Sequence, residues 1–182
     1  MFKPEAKSTI VIEEVTNFGM VSVKANFLDA KVCEIIQSLS GIQCPKKGKI
    51  SGGKKLSVGW MSTDEYAIFG KNSDVIKLVG KIESKLKNYN HLCMNMSDSR
   101  RCFHLKGNGW REVLSKGTPA DLSPKVFGKD VLRRTRIANV AVAIWTFNET
   151  EAFVMSMTSV GEFVLEWLNN ACLETGRISY FS

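Results

Sequence analysis

Residues 55–86 read KLSVGWMSTDEYAIFGKNSDVIKLVGKIESKL, and the spacing of their apolar side chains changes along the stretch. In Lys55–Met61 and Asp64–Phe69, apolar residues alternate with small or polar ones, as in half-buried strands. After Ser73, a residue type that caps helices, apolar residues recur at helical spacing as far as Leu86. The stretch therefore predicts a β-hairpin followed by an amphipathic helix.

The same pattern returns 85 positions later along the chain. Val140–Phe147 and Ala152–Met157 are predicted as a second hairpin, and Thr158 or Ser159 as the cap of a helix that extends to about Thr175. Three pairs of residues coincide without a gap: Trp60 with Trp145, Ala67 with Ala152, and Val75 with Val160. This repeat predicts two halves related by an approximate internal twofold axis, with the Trp-ended hairpins in equivalent positions.

A strand and a helix precede each hairpin. They are Met20–Asn26 with Asp29–Leu39 in the first half, and Arg101–Lys106 with Gly109–Lys116 in the second. Each half is thus β-α-β-β-α, a unit that covers one face of its sheet with helices, and two such units either join their sheets or pack face to face around one core. We expect an α+β fold made of two similar halves.

The composition is that of an ordinary globular protein, with 44% apolar and 24% charged residues. We expect residues 1–182 to form a single domain with pseudo-repeats at about 18–90 and 91–176, which meet in the polar residues 88–91. Residues 1–9 lack the apolar region of a signal peptide, and no later window approaches the roughly 18 apolar residues of a membrane span. These features predict a cytoplasmic protein.

The five cysteines are scattered and never spaced as C-x-x-C: Cys33, Cys44, Cys93, Cys102 and Cys172. Their odd number and their positions on apolar faces favour reduced thiols that fill the core over a disulfide framework. This interpretation agrees with a cytoplasmic location.

The loop between Gly41 and Lys54 is basic and rich in glycine, and Gly117–Val131 is its counterpart in the second half. Residues 48–54 match G-x-x-x-x-G-K, but Lys55 stands where a nucleotide-binding loop needs Ser or Thr. The residues that follow also predict a strand, whereas such a loop leads into a helix. We therefore expect a flexible basic surface loop, with contact to an anion or a partner as the functional alternative.

Residues for catalysis, cofactor binding or metal binding are not predicted anywhere in the chain. The two histidines, His91 and His104, have no Cys or carboxylate at ligand spacing. His104 stands between Phe103 and Leu105 on a strand, so it is expected on the opposite face as a structural residue. Neither the G-x-S-x-G turn of a serine nucleophile nor the G-x-G-x-x-G fingerprint of a dinucleotide site occurs.

The net charge of +7 suits an acidic partner or nucleic acid, and charge alone does not decide between them. Ser97–Arg101 predicts a polar turn entering a strand, with an arginine available for an ion pair to another chain. The predicted partner interface consists of five cations: Lys46, Lys47, Lys49, Arg100 and Arg101.

Several short motifs occur in a fixed order along the chain. They are GWMSTDEYAIFG at 59–70, the Ser97–Arg100 turn, LSKGTPADLSP at 114–124, a strand ending at Trp145 and a final helix carrying Trp167. In this order the motifs resemble the gamma subunit of heterotetrameric sarcosine oxidase. The resemblance implies a compact domain like a shortened folate-binding aminomethyltransferase.

The resemblance also implies a function and partners. In that family the chain is a noncatalytic gamma subunit, assembled with alpha, beta and delta subunits but not with nucleic acid or a membrane. The complex oxidatively demethylates sarcosine to glycine, forms hydrogen peroxide and passes the one-carbon unit to tetrahydrofolate. FAD, FMN, NAD, zinc and tetrahydrofolate belong to the partner subunits in this interpretation, and none is expected in this chain.

Three positions depart from the family pattern: Lys106–Gly109, Thr118 and Ser123. They leave open whether the parent enzyme prefers sarcosine or another N-methyl amine. The bulk properties also allow a second hypothesis, a basic α+β protein that acts alone and binds nucleic acid or folate.

Overall fold

The computed structural model describes residues 10–173. The strands are β1 (Val11–Glu14), β2 (Phe18–Ala25), β3 (Ile50–Gly52), β4 (Leu56–Ser62), β5 (Glu65–Lys71), β6 (His91–Asn95), β7 (Arg100–Lys106), β8 (Leu132–Ile137), β9 (Val140–Asn148) and β10 (Glu151–Met157). The helices are α1 (Ala30–Ser40), α2 (Asn72–Leu86), α3 (Trp110–Ser115) and α4 (Gly161–Ala171). Each long helix buries one apolar face, as the sequence pattern predicts.

The strands form two antiparallel sheets of the same design. The first sheet has the order β3-β4-β5-β2-β6, and the second has the order β8-β9-β10-β7-β1. α1 and α2 bury their apolar faces on the outer side of the first sheet, and α3 and α4 do so on the second. A third apolar cluster lies between the two sheets. The molecule therefore has four layers, helix, sheet, sheet and helix, which confirms the α+β class with two similar halves.

The two halves exchange their edge strands. β1 precedes the first half in the chain, yet it pairs with β7 and completes the second sheet. β6 begins the second half and pairs with β2, which completes the first sheet. Each sheet therefore takes one edge strand from the chain segment that leads into the other sheet. The proposed repeat bounds, 18–90 and 91–176, stay a prediction.

The two hairpins occupy equivalent places in their sheets, but the 85-residue register is wrong by one position. The turn between β4 and β5 lies at residues 63–64 and that between β9 and β10 at 149–150, a shift of 86. Trp60 consequently packs on the helix side of the first sheet, whereas Trp145 lies between the sheets. A shift of one residue moves every strand side chain to the other face, so the matching tryptophans are not structural equivalents.

The shift of 86 also aligns the final helices of the two halves. The buried residues of α2 include Val75, Leu78 and Ile82. Those of α4 are Gly161, Val164 and Leu168. The pairing of Val75 with Val160 is therefore corrected to Val75 with Gly161.

Four strands were not predicted: β1, β3, β6 and β8. β6 occupies the end of the expected linker and continues as far as Asn95. The predicted caps were also wrong, because α2 begins at Asn72 and α4 at Gly161 without a side-chain capping bond. The prediction that the last helix reaches Thr175 falls outside the described residues.

The counterpart loops of the two halves meet at the seam between the sheets. The Ile50 amide donates to the Asp130 carbonyl at 3.0 Å, and the Leu132 amide donates to the Gly48 carbonyl at 3.0 Å. Gly48 and Asp130 both adopt positive φ, 70° and 58°. The two hydrogen bonds are related as a twofold axis would relate them, and they join β3 of one sheet to β8 of the other.

Aromatic rings fill the layer between the sheets. Phe69 stacks on Trp145 at 5.0 Å, and Trp145 stacks on Phe153 at 5.4 Å between ring centroids. Phe153 in turn lies 4.3 Å from the parallel ring of His104. This stack runs from the first sheet into the second, and its geometry is that preferred by aromatic pairs. No helix within the described chain is long and apolar enough to cross a membrane.

Candidate functional site

A groove runs along the part of the second sheet that the first sheet leaves open. Two depressions form it, with volumes of 430 and 580 Å³, and both are lined by Met61 and Arg134. The smaller depression reaches Lys47, and the larger reaches Arg100 and Met157. We call this feature the cationic groove.

Strand alternation places apolar side chains on the floor of the cationic groove. Ala143 and Met155 belong to the core between the sheets, and Met157 lies two residues further along the same face of β10. Met157 is 53% exposed, so the apolar core continues here into an open surface. Met61, at the end of β4, closes the floor from the first sheet.

Four cations line the groove: Lys47, Arg100, Arg133 and Arg134. Among residues 10–173, no carboxylate lines either depression, and none of the four makes an ion pair. The three guanidinium groups donate to backbone carbonyls at 3.2 to 3.4 Å. Because each guanidinium has five N–H donors, most of its donors are left for another partner.

The structure brings two of the five predicted interface residues into the groove, Lys47 and Arg100. Lys46 and Lys49 are exposed on the same loop as Lys47 but do not line the groove. Arg133 and Arg134 were missed. They lie on β8, Leu132–Ile137, which reads LRRTRI. Because two arginines are adjacent in this edge strand, its apolar residues do not alternate clearly enough to predict a strand.

Arg101 is engaged inside its own chain instead of facing a partner. Its Nε and Nη2 donate to the two carboxylate oxygens of Glu14 at 2.7 Å, and its Nη1 donates to Glu162 at 3.0 Å. The guanidinium therefore ties β1 to β7 and to the start of α4. The predicted place of Arg101 in a partner interface stays a prediction.

A second polar cluster joins the two halves. His104 Nε2 lies 2.6 Å from Glu151 Oε2, and Lys54 Nζ donates to the same oxygen at 2.8 Å. Asn148 donates to the other oxygen of Glu151. His104 lies on the face opposite Phe103 and Leu105, as predicted, and the cluster fastens the loop before β4 to strand β10.

Burial and hydrogen bonding fix the charges of this cluster. Burial lowers the pKa of His104 below its ordinary value, although the nearby Glu151 carboxylate would raise it. Burial would raise the pKa of Glu151, but the hydrogen bonds from Lys54, Asn148 and His104 outweigh it and hold the pKa below its usual range. At neutral pH the cluster is therefore a carboxylate held by an ammonium, an amide and a neutral imidazole.

The five cysteines all lie in the described part of the chain and are free thiols. Burial raises the pKa of Cys93 to about 12 and that of Cys102 well above its ordinary value. Thiolates are the reactive form, so these two residues behave as core fillers. Within residues 10–173, no three His, Cys, Asp or Glu side chains come together as metal ligands.

The fold places the chain in a class of solved structures. Aminomethyltransferase T of the glycine cleavage system from Bartonella henselae superposes with a TM-score of 0.65 at 11% identity, over 89% of this chain and 46% of that one. The class is thus an aminomethyltransferase-like domain about half the length of that enzyme, here with an open cationic groove.

Named relatives narrow the class. The sequence matches no protein-family model. It is 27% identical to sarcosine oxidase subunit gamma from Arthrobacter sp. over 177 residues, 96% of this chain and 85% of the relative. The same subunit from Corynebacterium sp. strain U-96 is 28% identical over 70% of this chain.

A solved structure of a sarcosine oxidase contains a chain with the same fold as this one. Heterotetrameric sarcosine oxidase from Corynebacterium sp. U-96, in complex with pyrrole 2-carboxylate, superposes with a TM-score of 0.84 at 22% identity, over 92% of this chain and 85% of that one. The chain is a homologue of the sarcosine oxidase gamma subunits, and the resemblance deduced from its motifs is confirmed.

Proposed function

We propose that this protein is the gamma subunit of a heterotetrameric sarcosine oxidase. The observation that carries the proposal is the near full-length match, which covers 96% of this chain and 85% of the Arthrobacter gamma subunit. A match over the whole of the two-sheet domain supports a shared role better than a shared motif would.

Within that complex, the proposed role of the chain is assembly. The alpha, beta and delta subunits are its proposed partners in the cytoplasm, and they carry FAD, FMN, NAD, zinc and the tetrahydrofolate site. The complex oxidatively demethylates sarcosine to glycine, reduces O₂ to hydrogen peroxide and passes the one-carbon unit to tetrahydrofolate. The cationic groove supports an assembly role because its cations make no ion pair with a carboxylate among residues 10–173.

Co-expression tests the proposal. The tagged chain is produced with the other three oxidase subunits of its own source, and separately alone. We expect the four chains to purify together in equal amounts and to form peroxide when sarcosine is added. If the other three chains assemble and turn over fully without this one, the proposal is wrong. A chain that stays alone and binds RNA with a steep salt dependence would favour the second hypothesis.

A further inference from the structure

The cationic groove combines two properties that a solvated surface rarely shows together. Its floor is apolar, and Met157 is 53% exposed there beside the buried Met61 and Ala143. Its rim carries Arg100 and Arg134 without a carboxylate among the described lining residues. An exposed apolar surface bounded by charge of one sign is typical of an interaction site.

The openness of the groove indicates what kind of partner fits it. The four cations line the rim, and the three arginines among them donate to backbone carbonyls. Among the described lining residues, no buried charged side chain encloses a small anion. Salt screens an isolated anion at an exposed arginine, which makes such binding weak. A polypeptide that presents several carboxylates and an apolar side chain gains from both the rim and the floor.

We propose that the cationic groove binds an acidic segment of another subunit of the oxidase, with carboxylates on Arg100, Arg133 and Arg134 and an apolar side chain against Met61 and Met157. This inference rests on the proposed function. Beyond that function, it specifies which surface binds the partner and which chemical groups the partner segment presents. Lys47 extends the same positive rim from the first half.

Carbodiimide cross-linking of the assembled complex identifies the partner segment. The reagent joins lysine amines to carboxylates in direct contact, so Arg134→Lys and Arg100→Lys keep the charge and add a reactive amine. We expect each variant to gain a cross-link to an Asp or Glu in another subunit, which peptide mass spectrometry then locates. The matched control is native Lys81, exposed on the outer side of α2, which should give no such product.

Charge reversal gives an independent readout of the same surface. Arg134→Glu and Arg100→Glu should each weaken assembly roughly 3- to 10-fold, with the loss largest at low salt, because rim charges act on association. Lys81→Glu removes the same charge far from the groove and should assemble like the wild type. Turnover per flavin in the complexes that do form should stay near the wild-type value.

The outcomes separate the inference from the proposed function. If the wild-type chain does not assemble with the oxidase, the proposed function fails. If it assembles, but the groove variants behave like Lys81→Glu and the new lysines form no cross-link to another subunit, the groove is not the docking surface. Cross-links to carboxylates of a second copy of this chain would also overturn the inference.

Discussion

At the scale of single residues, the cluster of Lys54, His104 and Glu151 shows how one carboxylate can serve both halves of the fold. Its position on β10 brings it beside the histidine of β7, and the loop lysine arrives from the first half. Glu65 has the equivalent position on β5, where it accepts a hydrogen bond from Ser22. The two halves thus keep a glutamate at the same position and give it different hydrogen-bond partners.

We expect this cluster to make the protein less stable in acid. The pKa of His104 is lowered by folding, so the unfolded chain binds a proton more readily and stability is lost as the pH falls below about 6.5. The lowered pKa of Glu151 acts in the same direction, with stability lost as the pH falls further through its folded value. Urea unfolding from pH 7 down to well below pH 4.5 measures both effects.

His104→Phe isolates the histidine. The new ring can still stack on Phe153, whereas the proton uptake is gone, so the loss of stability just below pH 6.5 should shrink. The matched control is His91→Phe, which removes the other histidine and leaves the His104–Glu151 pair intact. If stability depended on pH identically in the two variants, the loss of stability below pH 6.5 could not be assigned to His104.

At the scale of secondary structure, the short edge strand β1 contributes more to stability than its length suggests. Ile12 packs on the core under the second sheet, while its neighbour Val11 is 45% exposed. We expect Ile12→Asp to lower the free energy of unfolding by about 2 to 3 kcal/mol, because it buries an unpaired charge against apolar residues. Val11→Asp should cost less than about 1 kcal/mol.

Chemical denaturation of the two variants checks this prediction. The pair is matched, since both add one carboxylate to the same strand at adjacent positions. Equal losses of unfolding free energy would contradict the structure, in which Ile12 packs on the core and Val11 is exposed.

Periodicity identified the elements with strong one-sided burial and missed those without it. The strands of both hairpins and the three longer helices were predicted because their apolar residues repeat with a clear period. β3 has three residues and β8 carries three arginines, so neither shows such a period. The pairing of β1 with β7 depends on contacts distant in sequence, which a local pattern cannot contain.

The cationic groove was only partly predictable for a similar reason. Clustered charge drew attention to Lys47 and Arg100, and both line the groove. Arg101 has the same local signal, but Glu14 and Glu162 neutralise it from two other elements. The sequence shows which residues are cations. It does not show which carboxylates they contact, because those contacts form only when the chain folds.

At the scale of the whole molecule, the exchange of edge strands makes each half depend on the other. A cut after residue 90 leaves the first fragment without β6 and the second without β1. We expect neither fragment 1–90 nor fragment 91–182 to unfold cooperatively on its own. An equimolar mixture should regain a single thermal transition, since each fragment supplies the missing strand.

Thermal unfolding followed by circular dichroism measures this effect. A cut after residue 96 is the control, because fragment 1–96 keeps all five strands of the first sheet and should retain more β-structure than 1–90. A sharp transition in fragment 91–182 alone would refute the dependence.

The exchanged strand also sets an order of events during synthesis. Among the described strands, β1 is the first to leave the ribosome, yet its contacts with β7 include the ion pair of Glu13 with Lys106, 93 positions apart in sequence. At ordinary rates of translation, roughly 5 to 20 seconds therefore pass between the synthesis of β1 and that of β7. Glu13 and Glu14 make half of this four-residue strand acidic. Mutual repulsion between such strands on neighbouring nascent chains protects an unpaired edge until β7 arrives.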